Sequence, residues 1–430
     1  MKTYPAYKDS GVDWLGEIPE HWEVEKGKWL FIKNERPVRE KDEVVTCFRD
    51  GEVTLRSNRR IDGFTNSIKE HGYQGVRKGD LVIHQMDAFA GSIGISDSDG
   101  KSTPVYSVLT PRVTEVMSEF YSRLLRNMAK TGFIESLAKG IRERSTDFRF
   151  NDFSKLVLPF PPKQEQQAIA NFLDETCGKL ETVVAQKEKM IALLKERKQA
   201  LIQNAVTRGL NENVPQKDSG VDWIGDIPEN WEVKRLGTFG YFSKGGGFSK
   251  SDLTEQGVKA ILYGDIYTKY NFEVKSAVRT IGIKTAKKAR LLKKNELLFT
   301  GSGETKEDIG KCVTFQSDEI TVAGGDVIIF TPVSNNSKYL SYVMNSELVK
   351  AEKSKTAKGE IIIHTYASKL KDIHLPIPPK EEQEEIVNYI DVQSQKIDQA
   401  ITQQEQAIVK LKEYKASLID SCVLGKIKVS

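Results

Sequence analysis

Leu158-Pro159-Phe160-Pro161-Pro162-Lys163-Gln164-Glu165-Gln166 and Leu375-Pro376-Ile377-Pro378-Pro379-Lys380-Glu381-Glu382-Gln383 are one stretch occurring twice in a chain of 430 residues. The prolines stop a strand-like run, because proline gives no ladder hydrogen bond and cannot sit inside a helix. The residue before each proline is held extended, so a helix starts only after them. A polar–apolar pattern then runs to about Leu210 in the first copy and about Ile427 in the second. In the first copy Leu173, Thr176, Leu180, Val183, Lys187, Met190, Leu194, Arg197 and Leu201 fall at alternating steps of three and four. Shifted by 217 positions, the second reads Ile390, Gln393, Ile397, Ala400, Gln404, Ala407, Leu411, Tyr414 and Leu418. Such spacing predicts two long helices, each burying a stripe against one partner helix. The obvious partner for one is the other. Polar seam positions (Lys187 and Arg197, Gln404 and Tyr414) argue against a self-sufficient zipper.

A second repeat lies further upstream. Lys8-Asp9-Ser10-Gly11-Val12-Asp13-Trp14-Leu15-Gly16-Glu17-Ile18-Pro19-Glu20-His21-Trp22-Glu23-Val24 returns from Lys217 to Val233, with 14 of 17 positions identical. Leu/Ile, Glu/Asp and His/Asn are the only changes. The offset is 209 here and 217 at the helices, so the second middle segment is longer by 217 − 209 = 8 residues. Each half is thus an entry motif, a variable middle and a long helix. The entry motif, with two tryptophans around Gly and Pro, reads as a packing loop. The middles share a skeleton: Lys78-Gly79-Asp80-Leu81-Val82-Ile83-His84 aligns with Lys294-Asn295-Glu296-Leu297-Leu298-Phe299-Thr300. Strands are predicted at Val44–Phe48, Val105–Leu109, Ala260–Leu262 and Val327–Phe330, and helices at Glu119–Leu137 and Lys338–Lys353. The fold class expected is α+β/α, with two α/β modules, two long helices pairing as an intrachain antiparallel coiled coil, and a pseudo-two-fold internal repeat. Boundaries fall at 1–158, 159–212, 213–374 and 375–430.

Composition excludes several classes. Hydrophobic residues at 39% and charged residues at 29% describe an ordinary globular chain, and no apolar run approaches bilayer length. Met1 to Asp13 has no apolar core of a signal peptide. Four cysteines lie far apart with no CxxC pair, which suits a reduced, cytoplasmic protein. A net charge of +4 announces no nucleic-acid partner by itself, so any basic surface is local.

Catalytic motifs are missing. The Pro-Pro pairs have neither the Asn/Asp before nor the aromatic after that an amino-methyltransferase uses to hold an amine. No phosphate-loop spacing occurs, and the five histidines show no metal-ligand spacing. Binding signals are stronger. Arg56, Asn58, Arg59 and Arg60 form a basic cluster, and Arg142 and Arg144 belong to another. Gln85, Asn58, Arg59 and Arg144 carry the donors and acceptors that read base edges. Lys244, Lys250 and Ser251 flank a glycine-rich loop, Gly245-Gly246-Gly247, whose amides are expected to approach phosphates. The frame repeats while the candidate reading surface differs, as expected of two modules that meet the same kind of partner at different targets. About 40 helical residues make a spacer of roughly 60 Å, a length comparable with half-sites about 34 Å apart on one face of a duplex.

These features together resemble the specificity subunit of type I restriction-modification systems, over essentially the whole chain. The resemblance rests on the Gly11-to-Trp22 entry motif and its repeat, the two Leu-Pro-x-Pro-Pro-x-x-Glu-Gln helix starts, and the order module, helix, module, helix. It implies two target-recognition domains, each reading one half of a split site on double-stranded DNA, with the coiled coil setting the gap. It implies two modification subunits that methylate adenine N6 with S-adenosylmethionine, and two restriction subunits that use ATP and Mg. This chain itself would carry no cofactor or metal and no catalytic residue. A coiled-coil scaffold with two protein-binding modules is the alternative, and a stand-alone nuclease or methyltransferase a third.

Overall fold

The structure, a computed structural model, describes residues 2–59, 71–137, 147–211, 213–303, 305, 309–357 and 363–429. Contacts divide the chain into two units: 1–188 with 405–430, and 189–404. Two continuous helices, Lys163–Arg208 and Lys380–Val423, each contribute one segment to each unit. Ala, Leu, Lys, Glu and Gln dominate both helices, and neither has an interior proline, so propensity supports their length. Each is followed by a glycine in the left-handed region, Gly209 (φ +78°) and Gly425 (φ +72°), where a Cβ would be strained.

Unit 1 begins with a hairpin, Tyr7–Asp9 paired antiparallel with Glu17–Pro19. Glu23–Lys26 then pairs with Val157–Phe160, the strand that leads into the first long helix. Pro159 lies inside that strand, opposite Val24, rather than after it. The pairing is only two strands wide, so the missing N–H faces no further neighbour. Pro161 and Pro162 make the break, and the helix starts at Lys163. The central sheet has four antiparallel strands in the order Phe31–Asn34, Tyr106–Pro111, Leu81–His84, Ile93–Ile95. The amphipathic helix Ser118–Lys130 buries Phe120, Tyr121, Leu124, Leu125 and Met128 in the core with Leu173, Leu418 and Cys422 from the long helices.

Unit 2 repeats the construction by itself. Its hairpin is Gln216–Asp218 with Asp226–Pro228, and Glu232–Arg235 pairs with His374–Ile377. The central sheet runs Gly240–Lys244, Val327–Pro332, Leu297–Thr300, Cys312–Phe315, with Glu273–Val274 added at the edge. A second, five-stranded mixed sheet carries Leu253–Thr254, Arg279–Ile281, Val258–Ile261, Thr321–Ala323 and Arg290–Leu291. The aligned turns explain their residues. Gly79 (φ +90°) and Asn295 (φ +69°) occupy the same left-handed position, which Gly and Asn tolerate. The next residue, Asp80 or Glu296, is buried and accepts the N–H of Arg77 or Lys293, at 2.7 and 2.8 Å. Arg36 pairs with Asp80, and Arg290 with Glu296, so neither carboxylate is left uncompensated.

Each helix predicted in the middles is broken in two. The first stops at Lys130 and resumes at Phe133 after Gly132 (φ +80°). The second stops at Met344 and resumes at Glu347, because the Asn345 amide turns to bond the backbone of Cys312 through both its oxygen and its nitrogen. The helix seam also differs from the predicted one, and in the same way in both copies. Leu173, Leu180, Lys187, Leu194 and Leu201 are withdrawn from water, but Val184, Ile191 and Lys198 turn inward instead of Val183, Met190 and Arg197. In the second helix Ser394, Ile401, Ile408 and Lys415 replace Gln393, Ala400, Ala407 and Tyr414. The repeat steps four then three, not three then four. The helices pack antiparallel, with Lys415 on Glu181 in unit 1 and Lys198 on Asp398 in unit 2.

The repeated Glu-Gln of the helix starts ties each module together. Glu165 Oε2 accepts Trp22 Nε1–H and the Tyr4 hydroxyl, both at 2.9 Å, and its Oε1 lies 2.6 Å from His21 Nε2. Glu382 accepts Trp231 Nε1–H and Asn230 Nδ2–H, both at 3.0 Å. Gln166 and Gln383 are buried and accept the N–H of Met117 and Asn336 at 2.9 Å. Replacing Glu165 or Glu382 by Ala orphans a buried indole N–H and is expected to cost about 1–3 kcal/mol, read as a lower urea midpoint. Burial raises the Glu165 carboxyl, but bonds to Trp22, His21 and Tyr4 overcome it and hold the pKa below its usual value. That contribution is therefore present above the unfolded carboxyl pKa of about 4.3 and lost as pH falls through the lower folded value. Glu165→Gln is expected to remove this acid sensitivity, seen as a flatter stability profile below about pH 4.

Candidate nucleic-acid interface

In both units the loop after the central strand is pinned to the segment that precedes the last short helix. Phe148 N–H donates to Gln85 O in unit 1, and Thr365 N–H to Gly301 O in unit 2. The offsets, 148 to 365 and 85 to 301, match the sequence repeat. The residues at this wall differ between the modules, Gln85 and Met86 in one and Gly301 and Ser302 in the other.

In unit 1, Arg56, Asn58 and Arg59 stand on the turn that ends the hairpin Val45–Cys47 with Val53–Leu55. Arg59 is held by Asp50 (2.7 Å) and Glu52 (2.8 Å) and lies 4.2 Å over the Phe48 ring. Asn58 donates to Thr54 Oγ1 at 2.8 Å, and Arg56 Nε to Thr46 Oγ1 at 3.3 Å. Gln85 sits on the neighbouring loop, its amide on Ser107 Oγ and Pro104 O. Arg49 on Asp87 (2.9 Å) ties the hairpin tip to that loop, bringing the predicted Arg56, Asn58 and Arg59 onto a segment linked to that of Gln85. Met86, between Gln85 and Asp87, is 49% exposed. Arg60, Arg142 and Arg144 lie outside the described residues.

In unit 2, Lys244, Lys250 and Ser251 are exposed on either side of the glycine loop. The loop is not the phosphate cradle its composition suggests. Gly245 N–H is bonded to Val327 O (2.9 Å) and Gly246 N–H to Ala323 O (3.0 Å). A Cβ at Gly245 would stand 2.1 Å from Gly324 O, so that glycine is required for close backbone approach. Ser251 is engaged with Ser249, whose N–H and hydroxyl both bond Asp252.

Two cavities open beside this loop and share Asp326. One, of about 640 Å³, is lined by Lys244, Ser302, Asp326, His364, Thr365 and Tyr366 among others. The other, of about 460 Å³, includes Lys250, Tyr263, Arg279 and Asp326. Ser302 Oγ and His364 Nδ1 are 3.0 Å apart. The buried hydroxyls of Ser243 and Thr365 have no hydrogen-bond partner among the described residues. Tyr366 is 54% exposed. The wall therefore offers a cation, an acceptor carboxylate, unpaired hydroxyls and an exposed ring, a set able to hydrogen-bond base edges and stack. His364, Thr365, Tyr366, Ser302 and Asp326 were not singled out from sequence. The strand alignment, carried two residues past Thr300, reaches Ser302 alone; the others carry no local signal. Among the described residues no group of His, Cys, Asp and Glu is disposed to hold a metal, and no helix is long and apolar enough to cross a membrane.

Residues 228–410 match the family described as "Type I restriction modification DNA specificity domain". That match marks the second half of the chain as similar to the type I restriction-modification specificity subunits. It is similar to the Type I restriction enzyme MjaVIII specificity subunit of Methanocaldococcus jannaschii, 24% identical, covering 96% of this chain and 94% of that one. The putative MjaX specificity subunit of the same organism is 23% identical, covering 96% of each. Among solved structures, the HsdS subunit from Thermoanaerobacter tengcongensis shares the fold at a TM-score of 0.57, 17% identity, covering 99% of this chain and all (100%) of that one. A chain from "Structural basis underlying complex assembly and conformational transition of the type I R-M system" gives a TM-score of 0.68 at 14% identity, covering 95% and 99%. Specificity subunits are a non-catalytic class, in keeping with a sequence poor in catalytic motifs.

Gly245→Ala is expected to destabilise unit 2 by about 1–3 kcal/mol through overpacking. Gly246→Ala, where an added Cβ meets nothing within 4 Å, is the matched control. Thermal denaturation should separate the two.

Proposed function

We propose that this chain reads a bipartite, asymmetric site on double-stranded DNA, one half-site per module, and positions the enzymes that act there. The observation that carries the reading is the pair of units built on one frame, with the same strand order and the same pinned loop, whose walls differ in residue chemistry. The modules are residues 1–158 and 213–374, and the helical spacers 159–212 and 375–430. In the first module the proposed contacts are Arg56, Asn58, Arg59, Arg60, Gln85, Arg142 and Arg144. In the second they are Lys244, Lys250 and Ser251, joined by His364, Thr365 and Tyr366 from the cavity wall. Two modification subunits would dock on the repeated frame and methylate adenine N6 with S-adenosylmethionine, and two restriction subunits would add ATP-driven cleavage. A cytoplasmic location is the usual one for such a complex.

Lysines at the rim and hydrogen-bonding groups in the wall divide the work expected of a DNA reader. Lys244 and Lys250 neutralise phosphates without reading sequence, whereas the wall discriminates bases. Lys244→Ala with Lys250→Ala should weaken binding across all sequences and reduce the salt slope by about 2. His364→Ala should relax preference at one half-site and leave the other intact, measured by methylation of a randomised site library with the modification partner present. Shortening both long helices by one matched heptad removes about 10 Å of rise. It should change the tolerated gap with both half-sites unaltered. Methylation indifferent to gap length, or no salt-dependent DNA affinity in the complex, would sink the reading and favour a protein-binding scaffold.

A further inference from the structure

Each unit also holds a basic cavity against the long helices, which in unit 1 reaches the hairpin tip at Arg49 and Asp50. In unit 1 a cavity of about 800 Å³ lies between the end of Ser118–Lys130, the first long helix near Glu181 and the second near Lys412 and Lys415. In unit 2 a cavity of about 500 Å³ is lined by Lys195, Lys198, Asn345 and Asp398. These are the same place in the repeat. Lys195 and Lys198 shifted by 217 are Lys412 and Lys415, and Asp398 shifted back by 217 is Glu181. The ion pairs Lys198–Asp398 and Lys415–Glu181 are counterparts, and Asn345 corresponds to Asn127 at an offset of 218. Two lysines three apart on one helix face reach the cavity in both copies.

The charge of these cavities is not balanced by their own walls. In unit 1 the four lining carboxylates already have partners: Asp50 with Arg59, Asp174 with Arg123, Glu181 with Lys415, and Asp420 with Lys426 and Asn127. Arg126 and Lys130 have no ion-pair partner among the described residues, Lys412 reaches Glu188 only at 4.0 Å, and Arg126 Nε is buried without an acceptor. Gly51 makes room for the Arg126 guanidinium, since a Cβ there would stand 2.2 Å from it. In unit 2 five lysines line the cavity against the one carboxylate of Asp398; Lys198 pairs with it, Lys350 is met from outside by Glu347, Lys311 and Lys353 donate to backbone carbonyls, and Lys195 has no partner among the described residues. Loss of water lowers the pKa of both Arg126 and Lys130, and Arg126 and Lys415 push Lys130 further down. An anion in the cavity would favour the charged forms of both and offset that lowering.

We propose that each unit binds a phosphate ester in this cavity, held by Arg126, Lys130 and Lys412 in unit 1 and by Lys195 and Lys350 in unit 2. Volumes of 500 to 800 Å³ suit a small organic ligand rather than a bare ion. The phosphate comes from a free nucleotide or from a segment of DNA backbone.

The test is calorimetric titration of the full chain with pyrophosphate, against chloride at matched ionic strength. Two sites per chain are expected. Arg126→Gln with Lys130→Gln should weaken one by about tenfold or more, and Lys195→Gln with Lys350→Gln the other. Arg126→Lys, which keeps the charge, should retain most of the binding and guards against a merely misfolded variant. A short duplex that displaces pyrophosphate identifies backbone as the source; pyrophosphate that binds equally at saturating duplex identifies a free ester. Binding no stronger than chloride, or unchanged in both paired variants, overturns the proposal. So does release of a partner subunit by variants that still bind pyrophosphate, which would assign the cavities to an acidic protein surface. Half-site preference is expected to survive all these substitutions, so failure here leaves the DNA-reading proposal standing.

Discussion

A buried indole donating to a helix-start carboxylate is the contact on which each unit depends. Trp22 and Trp231 have no exposed surface, so their N–H groups must find acceptors inside the protein. Glu165 and Glu382 supply them from the third residue of a long helix, where a negative charge also meets the helix N-terminus favourably. The same indoles define the helix ends. A Cβ added at Gly425 would stand 2.9 Å from the Trp22 ring, and one added at Gly209 3.3 Å from the Trp231 ring. Each entry motif thus fixes the start of one long helix and the stop of the other. The His21/Asn230 difference is tolerated because both side chains address the second oxygen of the same carboxylate.

With stability concentrated in that frame, the walls beyond the central strands are free to differ. The central sheets keep their order, their left-handed turn residue and their buried Asp80 or Glu296, all of which are structural. What changes is the side-chain chemistry beyond the fourth strand residue: Gln85 and Met86 in one copy, Gly301 and Ser302 in the other. Neither substitution disturbs the backbone bond that pins the loop. A surface that varies without cost to its scaffold is what a specificity device needs.

The repeat, the helix starts and the module order were legible because they depend on residues with few conformational options: Pro, Gly and buried Trp. The helix seam was less so. Its leucines at 173, 180, 194 and 201 were found by spacing, but the alternate positions depend on a rotation of one residue. Local sequence barely decides that rotation, because Val183 and Val184, or Met190 and Ile191, are equally apolar. The helix breaks at Gly132 and Asn345 and the bonded amides of the glycine loop come from tertiary contacts that no window of sequence contains. The cavity wall of unit 2 was missed for the same reason, since His364 meets Ser302 only through the pairing of Ser302–Gly303 with Ile363–His364.

That one-residue rotation has a consequence for what holds the helices together. It brings Lys198 and Lys415 to the seam in place of Arg197 and Tyr414, and each is tolerated because a carboxylate on the facing helix receives it. Such partly exposed pairs contribute little net stability, about 0–1 kcal/mol each. The helices are instead secured near their ends, where Leu173, Leu418 and Cys422 enter the core of unit 1 and Ile202, Val206, Ile386 and Ile390 enter that of unit 2. A zipper of uniform leucine would pair without its modules and admit other helices as readily. Seating the helix ends in the module cores makes the pairing conditional on folded modules, and it leaves lysine-bearing turns beside the cavities rather than sealed between helices.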